Sequence, residues 1–290
     1  MSSSLKEKNS KIHKKLKNKT ILVTGGAGSI GSVLVEELLK YPIKAVRVLD
    51  VDEHALFKLK RKLNNSKLRL LLGSILDKER LEMAGNNVDI IFHLAAIKNI
   101  EISEFNPMET VDCNINGTIN LIKMTMRNHP ELFLNISTDK AVDSSTLYGA
   151  TKLLGERMAS WAGIHIPNTK FATIRFGNVM ESRGNVFEIW EEETFKKKSL
   201  SITHPDMERY FFHTNEAVEF ILECIPLIKA GEIFVPKMKS YKIKDLAKKY
   251  SNKFKIIGLR KGEKIREMLL TNDELKYAIS KKNMWIIRNK

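Results

Sequence analysis

A short β-branched run over residues 20–23 stops at Thr24-Gly25-Gly26-Ala27-Gly28-Ser29-Ile30-Gly31 and gives way to an amphipathic stretch over 31–39. No other feature narrows the folds open to this chain as much. Gly25, Gly28 and Gly31 form a GxxGxxG turn. A strand that enters such a turn and leaves it as a helix brings backbone N–H groups and the positive end of a helix dipole to one point, where a pyrophosphate binds. The pattern alone is a weak signal. Its setting strengthens it, because Asp50 follows the next apolar run, 45–49. A carboxylate there holds the adenosine ribose hydroxyls and repels a 2′-phosphate. Val51 follows it rather than an Arg, so NAD is expected over NADP.

The rest of the first two thirds keeps one rhythm. Further apolar runs at 68–72, 88–93, 132–137 and 171–176 read as strands, and 111–124 and 148–161 as helices. Strand and helix in alternation predict βαβ units and a Rossmann-like α/β fold, a doubly wound parallel sheet with ligands at the C-terminal strand ends. After Asn178 the rhythm breaks. Residues 181–198 are charged, loop-like and then helical. Helices are expected at 215–228 and 243–250, a strand at 232–235, and a polar segment to the end. The expected division is a basic flexible tail over 1–18, an NAD-binding domain over 19–178, and a mainly substrate-binding lobe over 179–290. Segments at about 210–238 are expected to return to the main sheet.

At 290 residues the chain can bury a real core. No apolar run approaches the roughly 18–20 residues of a spanning helix, and the N-terminus lacks the apolar centre of a secretory signal. A soluble cytoplasmic protein without membrane insertion is expected. The net charge is +15, and seven lysines against one Glu fall within residues 1–19. That balance suits a solvated tail and a body that handles anionic small molecules. With no helix-turn-helix, zinc finger or aromatic-rich RNA-binding signature, nucleic acid is not expected as a partner. Two cysteines, Cys113 and Cys224, and scattered histidines predict no metal site.

Tyr148 and Lys152 stand four apart at a helix start, on one face. A neighbouring ammonium stabilises a phenolate, which lets the tyrosine take a hydroxyl proton while hydride leaves for a nicotinamide. An exposed Tyr beside a solvated Lys is the commoner reading of such a pair alone. The glycine turn about 120 residues upstream makes the catalytic reading the stronger one.

The ordered set resembles the extended short-chain dehydrogenases/reductases. It comprises His93-Leu94-Ala95-Ala96, Ser137-Thr138, Tyr148/Lys152 and Arg175-Phe176-Gly177-Asn178-Val179. Within them the chain is most similar to the polysaccharide-biosynthesis branch typified by inverting UDP-N-acetylglucosamine 4,6-dehydratases. The likeness rests on Ala95-Ala96-Ile97-Lys98, Asn106-Pro107, Ser137-Thr138-Asp139-Lys140-Ala141, Leu147 to Lys152, Ser182-Arg183-Gly184, the segment 231–237 and Gly262-Glu263-Lys264. It implies catalytic roles for Tyr148, Lys152, Asp139, Lys140 and Thr138. It implies cofactor contacts from Gly25, Gly28, Ser29, Ile30, Gly31, Asp50, Ala95, Ala96, Lys98, Asn114 and Ser137, besides the Tyr/Lys pair. Lys98, Asn178, Arg183, Arg209, Arg260 and Lys264 are the expected contacts to a nucleotide-sugar and its diphosphate.

Asp139-Lys140 separates the expected reactions. A nucleotide-sugar 4-epimerase needs only the Tyr/Lys pair and a Ser or Thr. A 4,6-dehydratase must also take the C5 proton and expel the C6 hydroxyl, so it needs a base and an acid at the far end of the sugar. Lys140 in neutral form would serve as the base, and Asp139 in acid form would protonate the departing hydroxyl. A non-catalytic NAD sensor or scaffold would need none of these groups. The resemblance also implies a homo-oligomer, dimer or hexamer. Three departures stand out: Ser74, where the branch carries an Asp that holds adenine, weakens one cofactor contact, while Asn99 for a His and Glu188 for a Pro, with Glu191 to Glu193 beyond it, bear on substrate identity.

Overall fold

The computed structural model describes residues 3–288, with side chains from residue 7. The runs Thr20–Thr24 (β1), Ala45–Asp50 (β2), Leu68–Leu72 (β3), Ile90–His93 (β4), Leu132–Thr138 (β5) and Lys170–Phe176 (β6) are strands. β1, β4, β5 and β6 are buried almost end to end, as a parallel sheet covered on both faces requires. Short strands follow at Asn178–Val179 (β7), Leu200–Ile202 (β8), Glu208–Phe212 (β9), Glu232–Pro236 (β10), Ser240–Lys242 (β11), Phe254–Ile256 (β12), Ile279–Ser280 (β13) and Met284–Ile287 (β14). The main sheet runs β13-β14-β10-β6-β5-β4-β1-β2-β3. It is parallel except that β14 pairs antiparallel with β10, and β13 with β14. Chain order reverses between β1 and β4, which opens the ligand crevice at their C-terminal ends.

Helices cover both faces: Ser3–Leu16 (α1), Ser29–Leu38 (α2), Glu53–Leu63 (α3), Lys78–Gly85 (α4), Ile100–Phe105 (α5), Pro107–Val111 (α6), Gly117–Asn128 (α7) and Leu147–His165 (α8). The expected helix over 111–124 is interrupted by a π-helical turn at Asp112–Asn116. Val186–Phe195 (α9), Thr214–Cys224 (α10), Ile243–Ala247 (α11) and Asn272–Tyr277 (α12) complete the set. Buried Trp190, Leu200, Ile202, Phe211 and Leu246 form a separate small core around α9, β8 and β9.

The flexible tail expected over 1–18 is corrected. Residues 3–16 are helical, and Ile12 and Leu16, one turn apart, are buried in the main core against α10. Lys8 adds an ion pair to Glu223 at 2.8 Å. Residues 1 and 2 lie outside the described part.

Arg175 on β6 ties the C-terminal segment to α8. Its guanidinium bonds both oxygens of Glu156 at 2.9 and 2.6 Å and both of Glu274 at 2.8 and 2.9 Å. It also donates to the Leu269 carbonyl at 3.0 Å. Arg175 and Glu156 are fully buried, so deleting the cation strands the Glu156 carboxylate in a dry site and leaves half-buried Glu274 without its partner. Arg175→Met is expected to cost roughly 3–5 kcal/mol, read as a lower urea midpoint. An unchanged midpoint would mean that the three groups do not act as a unit.

Candidate active site

The glycine turn is built for close backbone approach. Gly25 has φ +66°, and a Cβ there would lie 2.6 Å from the Ala95 nitrogen. A Cβ on Gly31 would lie 2.4 Å from the Gly25 carbonyl oxygen. Gly28 caps α2 and offers no side-chain acceptor, so the first N–H groups of the helix face the cleft. Asp50 lines the same cleft, with its carboxylate fixed by the Ala27 and Asp52 N–H groups at 2.9 and 3.1 Å. The side-chain-free cradle, helix dipole and ribose-side carboxylate fit a dinucleotide. Gly31→Ala is expected to lower NAD affinity about tenfold or more, because such overpacking costs roughly 1–3 kcal/mol. Calorimetric titration reads it directly, and wild-type affinity would refute the cradle.

A cleft of about 850 Å³ runs from this turn past Ala95, Ala96 and Lys98 to Ser137, Thr138, Lys140, Tyr148 and Lys152, and on to Arg209 and Arg260. Its chemical end is built by β5 and α8. β5 ends in Ser137-Thr138, and Thr138 caps a tight turn at Asp139–Ala141. Thr146 caps α8 through the Gly149 N–H at 3.1 Å. A Cβ on Gly149 would meet the Lys140 carbonyl oxygen at 2.2 Å, so only glycine lets α8 pack this closely on the Asp139 turn. That packing brings Tyr148 next to Thr138 and Asp139.

Asp139 is fully buried. Its Oδ1 accepts from Lys140 Nζ at 2.9 Å and from the Thr138 hydroxyl at 3.0 Å. Asn178 Oδ1 lies 3.4 Å from Lys140 Nζ. Lys152 is buried, and burial brings its pKa down to about 8 against the partly offsetting charge of Glu156 one turn along α8. Burial pushes the Tyr148 hydroxyl up, against a hydrogen bond with Thr138, and the nearby Asp139 pushes it the same way. The expectation that Lys152 brings the phenol down is therefore corrected for the protein alone: desolvation is the larger effect. His93 is held neutral between the Thr24 and Thr118 hydroxyls at 2.8 and 2.9 Å, and is structural.

Several sequence candidates occupy other positions. Asn114 does not line the cleft. Its amide clamps Ile97 N and O at 2.8 and 2.9 Å and reaches Thr151 at 3.0 Å, so it braces the wall behind Lys98. Lys264 spends its ammonium on the Val142 and Asp143 carbonyls and does not line the cleft. Arg183 faces the cofactor end rather than the diphosphate end: its N–H donates to Ser29 Oγ at 3.0 Å, and its guanidinium lies 3.5 Å from Asp52. Lys98 Nζ donates to the Arg183 carbonyl at 2.9 Å. Asn178 donates to the Tyr210 carbonyl at 3.1 Å and lines the cleft. Arg209 and Arg260 line it as well, with Glu263 between them at 3.6 and 3.9 Å. Glu193 and Glu263, the latter quoted within Gly262-Glu263-Lys264, line the cleft, though sequence reasoning gave neither a catalytic or binding role; it missed Glu267, which carries no spacing signal and nears the Asp139 turn only through the fold. Among the described residues, no group of three acidic, His or Cys side chains is arranged to hold a metal.

A doubly wound sheet with this turn and this Tyr/Lys pair defines an extended short-chain dehydrogenase/reductase. Residues 21–289 match the family described as "Polysaccharide biosynthesis protein", and the chain belongs to that family. It is 44% identical to an uncharacterized membrane protein of Methanocaldococcus jannaschii, across 93% of this chain and 86% of the relative. It is 35% identical to an inverting UDP-N-acetylglucosamine 4,6-dehydratase of Campylobacter jejuni (93% and 82%) and 34% identical to a UDP-glucose 4-epimerase of Rickettsia bellii (90% and 80%). The crystal structure of Pen from Bacillus thuringiensis superposes with a TM-score of 0.91 at 34% identity, covering 94% of this chain and 89% of that one. No helix among the described residues is long and apolar enough to cross a membrane.

Proposed function

We propose that the chain is an NAD-dependent nucleotide-sugar 4,6-dehydratase acting on UDP-N-acetylglucosamine in surface-glycan biosynthesis. The observation that carries this reading is the pair of buried Asp139 and half-buried Lys140, 2.9 Å apart, beside Tyr148 and Thr138. The likeness to the Campylobacter jejuni dehydratase supports it. When bound, NAD supplies the acceptor for the C4 hydride and later the donor for C6.

The chain's own groups handle the protons. Tyr148 Oη takes the C4 hydroxyl proton, with the Lys152 ammonium and the Thr138 hydroxyl stabilising the phenolate. The C4 ketone acidifies C5, and Lys140 Nζ takes that proton. Asp139 gives a proton to the departing C6 hydroxyl, which leaves as water. Lys140 returns its proton to C5, on the opposite face if C5 inverts. The proton left on Tyr148 reaches Asp139 along the Tyr148–Thr138–Asp139 hydrogen-bonded chain and resets the acid. Ser137 Oγ, buried without a protein partner on the cleft wall, is free to bond a sugar hydroxyl. Arg209 and Arg260 bind the diphosphate by displacing Glu263.

The second reading is a 4-epimerase, favoured by the Rickettsia bellii relative. Incubation with UDP-N-acetylglucosamine and NAD separates the two. A product lighter by one water supports dehydration. An isobaric product would replace this reading with epimerisation.

A further inference from the structure

Beneath the Asp139–Lys140 pair lies a third ionisable side chain that the mechanism leaves unused. Glu267 is 8% exposed and does not line the cleft. Its segment is pinned against the acid–base turn. Gly262, at φ +76°, sits so close to Ser145 that a Cβ would meet the Ser145 carbonyl oxygen at 2.5 Å. Ser145 donates to the Gly262 carbonyl at 2.6 Å, and Arg209 donates to the Lys264 and Ile265 carbonyls at 2.8 and 3.1 Å.

The groups that face Glu267 are Lys140 and Asp139 from the turn after β5, Arg209 from β9, and Lys264 from its own segment. None of the three cations donates to its Oε2. Lys140 is spent on Asp139 and Asn178, and Arg209 on carbonyls and Glu263. Lys264 is spent on the Val142 and Asp143 carbonyls and stands 4.0 Å away. A carboxylate oxygen buried without a donor is expensive unless it carries a proton. A second buried oxygen without a partner is Asp139 Oδ2. Glu267 and Asp139 are coupled through charge rather than through a direct hydrogen bond, so ionising Glu267 beside Asp139 in this dry site is costly. Burial, the larger effect, together with the Asp139 charge raises Glu267 above the usual carboxylate range, while the three cations only partly oppose this.

We propose that Glu267 is a positioning residue that stores the proton for dehydration, passing it to the Asp139 carboxyl across an intervening water, so that Asp139 is an acid when the C6 hydroxyl departs. This rests on the dehydratase reading. The protons balance: Glu267 passes its proton to Asp139, Asp139 gives it to the leaving water, and the C4 proton collected by Tyr148 returns through Thr138 and Asp139 to Glu267. While Glu267 is ionised, the neighbouring cations hold its charge.

Two measurements on the full chain test this. Infrared spectroscopy at neutral pH is expected to show the carbonyl stretch of a protonated carboxylic acid that Glu267→Gln removes. With UDP-N-acetylglucosamine, Glu267→Gln is expected to slow water loss by on the order of 10²-fold. It should leave deuterium exchange at C5, which needs only the C4 ketone and Lys140, near the wild-type rate. Wild-type water loss should fall as pH rises through the Glu267 titration, and the variant should lack that limb. Equal loss of exchange and dehydration would mark a structural role and overturn the proposal, as would wild-type dehydration in the variant. An epimerised product from the wild type would end the dehydratase reading and the proton-store role with it. Absence of the acid band would end the proposal alone.

Discussion

Tyr148→Phe is expected to remove turnover of UDP-N-acetylglucosamine by roughly 10²–10⁴-fold while leaving the protein folded and able to bind NAD. The ring is half-buried on the cleft wall, and the variant loses only the hydroxyl, so the packing of α8 on the Asp139 turn survives. What disappears is the group that takes the C4 proton. Every later step depends on the C4 ketone, so dehydration, C5 exchange and epimerisation should fall together. Product mass reads dehydration and deuterium uptake, and chromatographic separation of the isobaric epimer reads epimerisation; substantial turnover by the variant would remove Tyr148 from the mechanism. The pH profile gives an independent check through Lys152. Its folded pKa of about 8 lies below its unfolded value, so its cation is held at a cost below that pH. Turnover should therefore fall as pH rises through about 8, where the ammonium is lost. The stability contribution runs the opposite way. The unfolded chain binds more protons between the two values, so this group's penalty fades as pH rises through that window.

Lys140→Ala should abolish water loss, by about 10²–10⁴-fold, yet permit C4 oxidation. The substitution removes the base for C5 and leaves Tyr148, Lys152 and the NAD cradle untouched. The measured signature is NADH or a C4-keto species without a dehydrated product and without deuterium at C5. Undiminished water loss would exclude Lys140 as the C5 base. The variant also discriminates between reactions, because a 4-epimerase makes no use of this ammonium and would retain its rate.

The strands of the parallel sheet were legible because each is a short apolar run closed by turn residues, and burial on both faces demands that composition. The β14 strand was not legible. Met284-Trp285-Ile286-Ile287 is too short to outweigh the polar residues around it, and it becomes a strand by pairing antiparallel with β10. The helices α3 and α4 were overlooked because charged residues break up their short apolar faces, and each is held by an Asp cap, Asp52 and Asp77. The N-terminal helix was misread for the same reason. Its lysines dominate the composition, and the two side chains that dock it, Ile12 and Leu16, gain meaning only against α10.

At the site, the glycine turn, Asp50, the Asp139-Lys140 dipeptide and the Tyr148/Lys152 pair were all readable. Each is a local pattern whose spacing already brings its members together: a turn, the end of a strand, one helix face. The use of the distant cations was not. Lys264 and Arg183 have the right charge for a diphosphate, but the fold commits one to two carbonyls and swings the other to Ser29 and Asp52. Glu274 reaches Arg175 from 99 residues away, and Glu267 reaches the acid–base turn from the same C-terminal segment. The chain's own order thus determines the sheet, the dinucleotide turn and the grouping of Asp139, Lys140 and Tyr148 at one end of the cleft, because short-range geometry specifies them. Which charges are spent on structure, which are left for a ligand, and which carboxyl is buried deeply enough to keep a proton are decided only by tertiary packing. Desolvation and hydrogen-bond satisfaction depend on neighbours that sequence separation does not reveal.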